Sequence, residues 1–187
     1  MSSRTNPKVV VLMGGFSFER EVSLTSGREC AAALRDEGFD VVELDAGADV
    51  VPRLQELSPD VVFNALHGRW GEDGCVQGIL EWLGFPYTHS GVLSSALAMD
   101  KQKSKRAYAA AGLPVVNSVI APKEDVMARH MIDAPYVVKP NNEGSSCGIY
   151  FVHDAKNGPP ELDDDLPDEV MVEQYVKGRE LTTTVMG

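Results

Sequence analysis

The sequence has few cysteines and lacks a long apolar run. Its three cysteines, Cys30, Cys75 and Cys147, lie far apart and none belongs to a CxxC pair, which argues against a disulfide framework and a zinc site. No segment approaches the roughly 20 apolar residues needed to cross a bilayer, and the amino terminus is polar rather than signal-like. These absences predict a cytoplasmic protein with reduced thiols and without a membrane partner.

Basic residues are also scarce. The 187 residues carry a formal net charge of -11, which argues against a nucleic-acid partner because phosphate-backbone binding needs a basic face. The acidity is concentrated in residues 154–173, where eight acidic side chains accompany one lysine. The run Asp163-Asp164-Asp165 predicts a solvated loop, since three consecutive side chains do not converge on one metal ion.

Short β-branched runs alternate with helical segments in residues 1–100. This alternation predicts a doubly wound α/β domain with a parallel sheet, whose functional loops lie at the carboxyl ends of the strands. The predicted strands are 8–13, 40–44, 60–65 and 86–88. The predicted helices are 21–37, 50–57, 75–83 and 93–99.

Residues 101–187 predict a second, α+β unit with antiparallel strands. Its expected helices are 102–111 and 123–131, and its expected strands are 115–120, 136–139, 149–152 and two around Met171 and Thr183. The Pro- and Asp-rich stretch 157–168 is expected to be a loop. Because the chain stops directly after the β-branched run 182–185, we expect an interrupted domain and a fragment of a longer protein.

The strongest local signal is the loop from Lys139 to Gly148. Glycines at 144 and 148 permit positive φ and close approach of a ligand, and the hydroxyls of Ser145 and Ser146 can donate to phosphate oxygens. Lys139 adds a positive charge for the same anion. The loop suits a polyphosphate, although a plain β-hairpin loop fits its composition equally well, and the GxxxxGK[ST] order of a P-loop is absent.

Two more loops follow predicted strands. Gly14-Gly15 precedes Glu19 and Glu21 at a helix start, where a carboxylate could hold a substrate ammonium or simply favour the helix dipole. The segment 67–74 contains three glycines and four ionisable residues, which is dense for a mere connection. Its His, Arg and acids could recognise a carboxylate or set a local pKa, while Glu72 and Asp73 could equally cap the next helix.

Together and in this order, the loops resemble those of the D-alanine–D-alanine ligases, which are ATP-grasp enzymes. The resemblance covers nearly the whole chain. The segments that carry it are Gly14-Gly15, 19–24, 65–68, 71–74, 77–78, 87–88, 90–91, 99–101 with Lys105, 111–114, 138–140 and 143–146.

The resemblance implies an amino-terminal substrate domain followed by the first α+β subdomain of an ATP-grasp fold. It implies that ATP phosphorylates the carboxylate of one D-alanine and that the amine of a second attacks the acyl phosphate, giving D-alanyl-D-alanine for peptidoglycan precursors. It also implies a homodimer, and it places the Mg²⁺ (or Mn²⁺) ligands beyond Gly187. The chain by itself is therefore expected to be inactive.

The resemblance also assigns residues. Glu19 would bind the ammonium of the first D-alanine, with Ser145 as its catalytic partner and His67 close to the same substrate. The nucleotide would contact Lys101, Lys139, Ser145, Ser146, Cys147, Glu173, Gln174, Tyr175, Val176 and Glu180. Two features depart from the family: Gln174 replaces a residue that is often basic, and the Pro-rich stretch 157–168 replaces a helix.

Two other functions stay open at this point. One is a different ATP-grasp ligase, including a D-alanine–D-lactate type. The other is a module that binds a D-amino acid or ATP without turnover.

Overall fold

The computed structural model describes residues 6–144 and 148–185. They form two compact units, one of residues 6–104 and 142–144 and the other of residues 105–141 and 148–185. One unit has a parallel sheet and the other an antiparallel sheet, which confirms the α/β class. None of the helices in the described residues is both long enough and apolar enough to span a membrane.

The first unit is built around strand β1 (Lys8–Met13). It pairs in parallel with β2 (Asp40–Asp45) on one side and with β3 (Val61–Asn64) on the other. The helices that connect or follow these strands are α1 (Arg20–Asp36), α2 (Val50–Leu57), α3 (Cys75–Leu83), α4 (Val92–Met99) and α5 (Lys101–Ala110), the last of which continues into the second unit.

The apolar run of β1 is buried on both faces of the sheet. Val10 and Leu12 pack into one cluster with residues of β2, β3, α2 and α3, whereas Val9 and Val11 pack with Ala31 of α1 on the other face. A strand covered on both sides has no polar alternation, so the continuous run correctly predicted a parallel strand buried on both faces. This arrangement places the loops after β1, β2 and β3 at one edge.

The second unit is an antiparallel sheet of order β4-β7-β5-β6. Its elements are β4 (Ser118–Pro122), α6 (Lys123–Ala128), β5 (Tyr136–Pro140), β6 (Tyr150–Val152), a 3-10 turn (Ala155–Asn157) and β7 (Glu169–Gln174). One face carries Tyr136, Val138 and Val172 into a core that Leu162 and Leu166 of the acidic loop close. These two leucines explain why a segment rich in Asp and Pro stays attached to the sheet.

Four expected elements differ from the structure by more than one residue at an end. The strand expected at 115–120 begins only at Ser118, and the strand expected at 86–88 is a single bridge between Tyr87 and Val62. Helix α6 stops at Ala128 because Arg129 is extended, with φ -158° and ψ 156°. The strand expected around Thr183 is wrong for the described residues, where the β-branched run has no neighbouring strand to bond with.

Candidate functional site

The turn after β1 is made by two glycines with positive φ. Gly14 and Gly15 have φ of 74° and 78°, a region that residues with a β-carbon rarely adopt. The Gly14 N–H donates to Ser23 Oγ at 2.9 Å, and that hydroxyl donates to Ala65 O at 2.7 Å. Fully buried Ser23 thereby ties the turn and helix α1 to the end of β3.

Glu19 lies at the start of α1 and is almost fully buried. Its side chain makes no hydrogen bond that caps the helix, although its residue is only 9% exposed. A β-carbon placed on Gly68 would come within 2.4 Å of Glu19 Oε2, and one on Gly144 within 3.4 Å. The carboxylate therefore lies against two glycine backbones, and a β-carbon at position 68 would displace it.

The loop after β3 brings His67 and Glu72 to the same edge. His67 Nε2 is 2.9 Å from Ser26 Oγ, and its Nδ1 is 4.0 Å from Glu72 Oε1. The other oxygen of Glu72 accepts from the Gly68 N–H at 2.8 Å, and Ser17 Oγ donates to the His67 carbonyl at 2.8 Å. The edge thus carries an imidazole and two carboxylates, and the carboxylate oxygens can accept hydrogen bonds from an ammonium group.

Three buried polar residues that hold this edge were missed from the sequence. Asn64 and Gln77 both donate to the Gly71 carbonyl, at 2.9 and 2.8 Å, and each is 2% exposed; the third is Ser23. The signal was available for Asn64 and Gln77, because each is a polar residue inside an otherwise apolar segment. Among the described side chains, Gln77 Oε1 is the buried polar atom without a hydrogen-bond partner.

Lys101 belongs to the first unit. Its ammonium donates to the Glu143 carbonyl at 2.5 Å. Both residues line a cavity of about 420 Å³, together with Asn64, Glu72, Gln77, His89 and Ser90. A separate and mainly apolar cavity of about 380 Å³ lies against Gly15, Leu66, His67, Trp70 and Val76.

The second unit places Lys139 beside Glu173. Both side chains leave the sheet face opposite its core, and Lys139 donates to one oxygen of Glu173 while Lys105 donates to the other at 2.5 Å. Burial acts to raise the pKa of Glu173, but the hydrogen bonds and charges of the two lysines outweigh it and leave this pKa below its ordinary value. The sequence alone did not indicate that Lys105 joins this group.

In the segment that ends β7 and follows it, Gln174 and Tyr175 contact the rest of the second unit, whereas Val176 and Glu180 are exposed. Gln174 Nε2 donates to the Pro135 carbonyl at 2.7 Å, and the Tyr175 N–H donates to the same carbonyl at 3.0 Å. The Tyr175 ring packs edge-on against Phe151, at 5.8 Å between centroids. Val176 is 64% exposed, and Glu180 is exposed in irregular chain.

The structure therefore brings Glu19 and His67 to one edge of the first unit and Lys139 and Glu173 together in the second. Ser145, Ser146 and Cys147 lie outside the described residues. The loop that contains them does connect two paired antiparallel strands, β5 and β6, as expected.

Two family models match the chain. The model described as "D-ala D-ala ligase N-terminus" matches residues 48–90, and "D-ala D-ala ligase C-terminus" matches residues 107–187. A D-alanine–D-alanine ligase of Ruegeria sp. (strain TM1040) is 70% identical over the whole chain, which covers 61% of that protein. The same ligase of Ruegeria pomeroyi is 71% identical, with the same coverage.

A solved structure gives the same result. The D-alanine–D-alanine ligase from Bacillus anthracis complexed with ATP is 31% identical to this chain. It superposes with a TM-score of 0.72 over 92% of this chain and 60% of that one. The chain thus spans about three fifths of the length of the relatives it matches. On this sequence and fold similarity, the chain belongs to the D-alanine–D-alanine ligase family.

Proposed function

We propose that the protein containing this sequence is an ATP-dependent ligase that joins two D-alanines into D-alanyl-D-alanine for peptidoglycan precursors. The observation that carries the proposal is the buried Glu19 carboxylate, held against Gly68 and Gly144 beside His67. A carboxylate on a rigid edge can accept charge-assisted hydrogen bonds from a ligand ammonium, and such bonds favour a ligand that supplies one. Family membership supplies the reaction.

In the proposed reaction, a carboxylate oxygen of the first D-alanine attacks the γ-phosphorus of ATP and ADP leaves. The amine of the second D-alanine then attacks the carbonyl carbon of the acyl phosphate, a proton leaves the amine, and inorganic phosphate is expelled as the peptide bond forms. Glu19 would hold the ammonium of the first D-alanine, assisted by Ser145, and His67 would lie beside that substrate. Phosphoryl transfer depends mainly on positioning and charge stabilisation, which matches an ammonium clamp on a rigid sheet edge.

We assign the nucleotide side to the second unit and to Lys101. The Lys139 ammonium would exchange its Glu173 partner for phosphate oxygens, since a carboxylate and a phosphate compete for the same donor. The further proposed contacts are Ser145, Ser146, Cys147, Gln174, Tyr175, Val176 and Glu180. Residues 1–100 would then carry the first substrate, and residues 101–187 one wall of the ATP site.

A metal site is not part of this assignment. Within residues 6–144 and 148–185, no group of three or more His, Cys, Asp or Glu side chains is placed to hold a metal ion. We derive no step through Mg²⁺ or Mn²⁺. We also propose, from family membership, that the protein is a cytoplasmic homodimer.

Phosphate release by the complete protein tests the reaction. We expect release from ATP only when D-alanine is present, with D-alanyl-D-alanine as the product. Phosphate release that does not depend on D-alanine would refute the proposal. A product formed with D-lactate would favour a D-alanine–D-lactate ligase. Binding of D-alanine and ATP without any phosphate release would instead indicate a binding module.

Glu19→Gln tests the first-substrate site. We expect D-alanine affinity to fall roughly 10- to 150-fold, because a charge-assisted contact worth about 1.5–3 kcal/mol is lost, while ATP affinity is retained. Glu21→Gln is the matched control, since Glu21 is an exposed acid in the same helical turn. Calorimetry measures both affinities, and equal D-alanine binding by the two variants would remove Glu19 from its role.

Lys139→Met tests the nucleotide site. We expect ATP affinity to fall about tenfold or more with D-alanine affinity retained, because one phosphate-facing positive charge disappears. Lys156→Met, at an exposed lysine of the same unit, is the control. Unchanged ATP affinity in Lys139→Met would contradict the assignment.

A further inference from the structure

Asp45 and Arg20 form a two-pronged ion pair on top of the Gly14-Gly15 turn. Arg20 Nη1 is 2.7 Å from Asp45 Oδ1, and Nη2 is 2.5 Å from Oδ2. The two residues are 25 positions apart, at the end of β2 and in the first turn of α1. This parallel geometry fixes the direction of the guanidinium as well as its distance.

The same pair forms hydrogen bonds with both backbone polar groups of Gly15. The Gly15 N–H donates to Asp45 Oδ1 at 3.3 Å, and the Gly15 carbonyl accepts from Arg20 Nη1 at 3.0 Å. A β-carbon on Gly14 would lie 2.3 Å from Asp45 Oδ1 and 2.8 Å from Arg20 Nη1. The pair is therefore in direct contact with the turn, and glycine is required at 14 for that contact.

The Gly14-Gly15 turn is followed directly by the residues of the proposed first-substrate site. Two residues after Gly15, Ser17 donates to the His67 carbonyl at 2.8 Å and accepts from the Glu19 N–H at 3.2 Å. Glu19 is also the immediate neighbour of Arg20 in the chain. A shift of Arg20 or of Gly15 would consequently move both ends of the short segment that carries the buried carboxylate.

Global stability does not account for this arrangement. The side chains of Arg20 and Asp45 are 42% and 45% exposed, and ion pairs so exposed contribute little to the free energy of unfolding. The hydrogen bond from Arg20 is the largest influence on Asp45 and holds its pKa below the ordinary value, with Gly15 and Arg53 acting in the same direction. Asp45 is thus ionised and paired at neutral pH.

We propose that Asp45, acting through Arg20 and Gly15, is a positioning residue that sets the place of Glu19 for the ammonium of the first substrate. The inference rests on the proposed function of Glu19. Neither Asp45 nor Arg20 needs to touch substrate, because an error of about 1 Å in the place of a binding group is enough to lower kcat/KM on the order of 100-fold.

The test compares Asp45→Asn and Arg20→Lys with the wild type in the complete protein. Asp45→Asn keeps the shape and removes the charge, whereas Arg20→Lys keeps the charge and removes the two-pronged geometry. For both we expect the KM and the dissociation constant for D-alanine to rise roughly 10- to 100-fold, with a smaller change in kcat. Affinity for a non-hydrolysable ATP analogue and the melting temperature should stay near wild-type values.

Glu43→Gln provides the matched control. Glu43 is two residues before Asp45 on the same strand and forms a comparably exposed pair with Arg35, at 2.7 Å, but it does not contact the glycine turn. This control should bind D-alanine normally.

Three results would overturn the proposal: wild-type D-alanine affinity in Asp45→Asn, an equal loss in Glu43→Gln, or unfolding of Asp45→Asn, which would mean a structural role. A wild-type protein that neither binds D-alanine nor releases phosphate would instead refute the proposed function, so the two failures are distinguishable.

Discussion

Glu173→Gln removes one negative charge that two lysines share. The Lys105 and Lys139 ammonium groups each donate to a different oxygen of this carboxylate, and glutamine offers them one neutral acceptor. The variant therefore leaves two positive charges close together on the sheet. We expect it to destabilise the second unit.

The magnitude follows from the burial of the group. A pair of charges 4 Å apart attracts by about 4 kcal/mol at an effective dielectric constant of 20, and desolvation of the ions offsets much of this. Breaking a buried pair costs about 3–5 kcal/mol, whereas an exposed pair contributes about 0–1 kcal/mol. Because the side chains of Lys105, Lys139 and Glu173 are only 16–19% exposed, we expect a loss of about 2–4 kcal/mol.

Hydrogen exchange of the strand amides is the appropriate assay, since a protein of more than one unit need not unfold in a single step. Exchange in β5 and β7 should accelerate roughly 30- to 1000-fold at pH 7, while exchange in β1 stays unchanged. Glu169→Gln, at an exposed acid of the same strand, is the control and should have little effect.

The pH dependence gives a second check. The folded-state pKa of Glu173 lies below its ordinary value of 4.5, so the carboxylate stabilises the fold above that range and the contribution is lost as the pH falls through the lowered pKa. The difference between wild type and Glu173→Gln should therefore shrink under acid. A difference below 0.5 kcal/mol, about the ordinary effect of a surface change, or one that does not shrink, would refute this reasoning.

Two further predictions concern glycines and the core. Gly68→Ala should lower D-alanine affinity and destabilise the fold by about 1–3 kcal/mol, because the φ of Gly68 is 66° and the new β-carbon would clash with Glu19 Oε2. Gly78 lies in the middle of α3 with open space around it, so Gly78→Ala should instead stabilise the fold by about 0.5–1 kcal/mol. Leu80 is fully buried, so Leu80→Ala should lower the free energy of unfolding, measured with heat or urea, by about 2–5 kcal/mol. Leu93 is 73% exposed, so Leu93→Ala should lower it by less than about 0.5 kcal/mol. Reversed signs for the two glycines, or equal effects for the two leucines, would contradict the packing described above.

Much of the fold was accessible from local pattern. The unbroken apolar run at β1 predicted a strand buried on both faces, and α3 begins and ends at the residues that its composition and the following Gly84 indicated. The predictions failed where a strand needed a partner, at 86–88 and around Thr183, since pairing is decided by distant residues.

The candidate site was accessible only in part. Sequence placed Glu19, His67 and Lys139 at strand-end loops, but composition alone gave Glu21 the same standing as Glu19, and only the family resemblance separated them. Successive helical positions differ by about 100°, so two residues along the helix point to different sides, and the fold buries Glu19 while leaving Glu21 exposed.

The sequence by itself determined the order of strands and helices, the glycine turns at their ends, and the set of charged residues carried on those loops. These properties are local, because they depend on neighbouring side chains and on the conformations that glycine permits. Only the tertiary structure decided which charges meet: Asp45 with Arg20 across 25 residues, and Glu173 with Lys105 across 68. The physical reason is that sheet register and helix packing, rather than distance along the chain, set which side chains come within hydrogen-bonding reach.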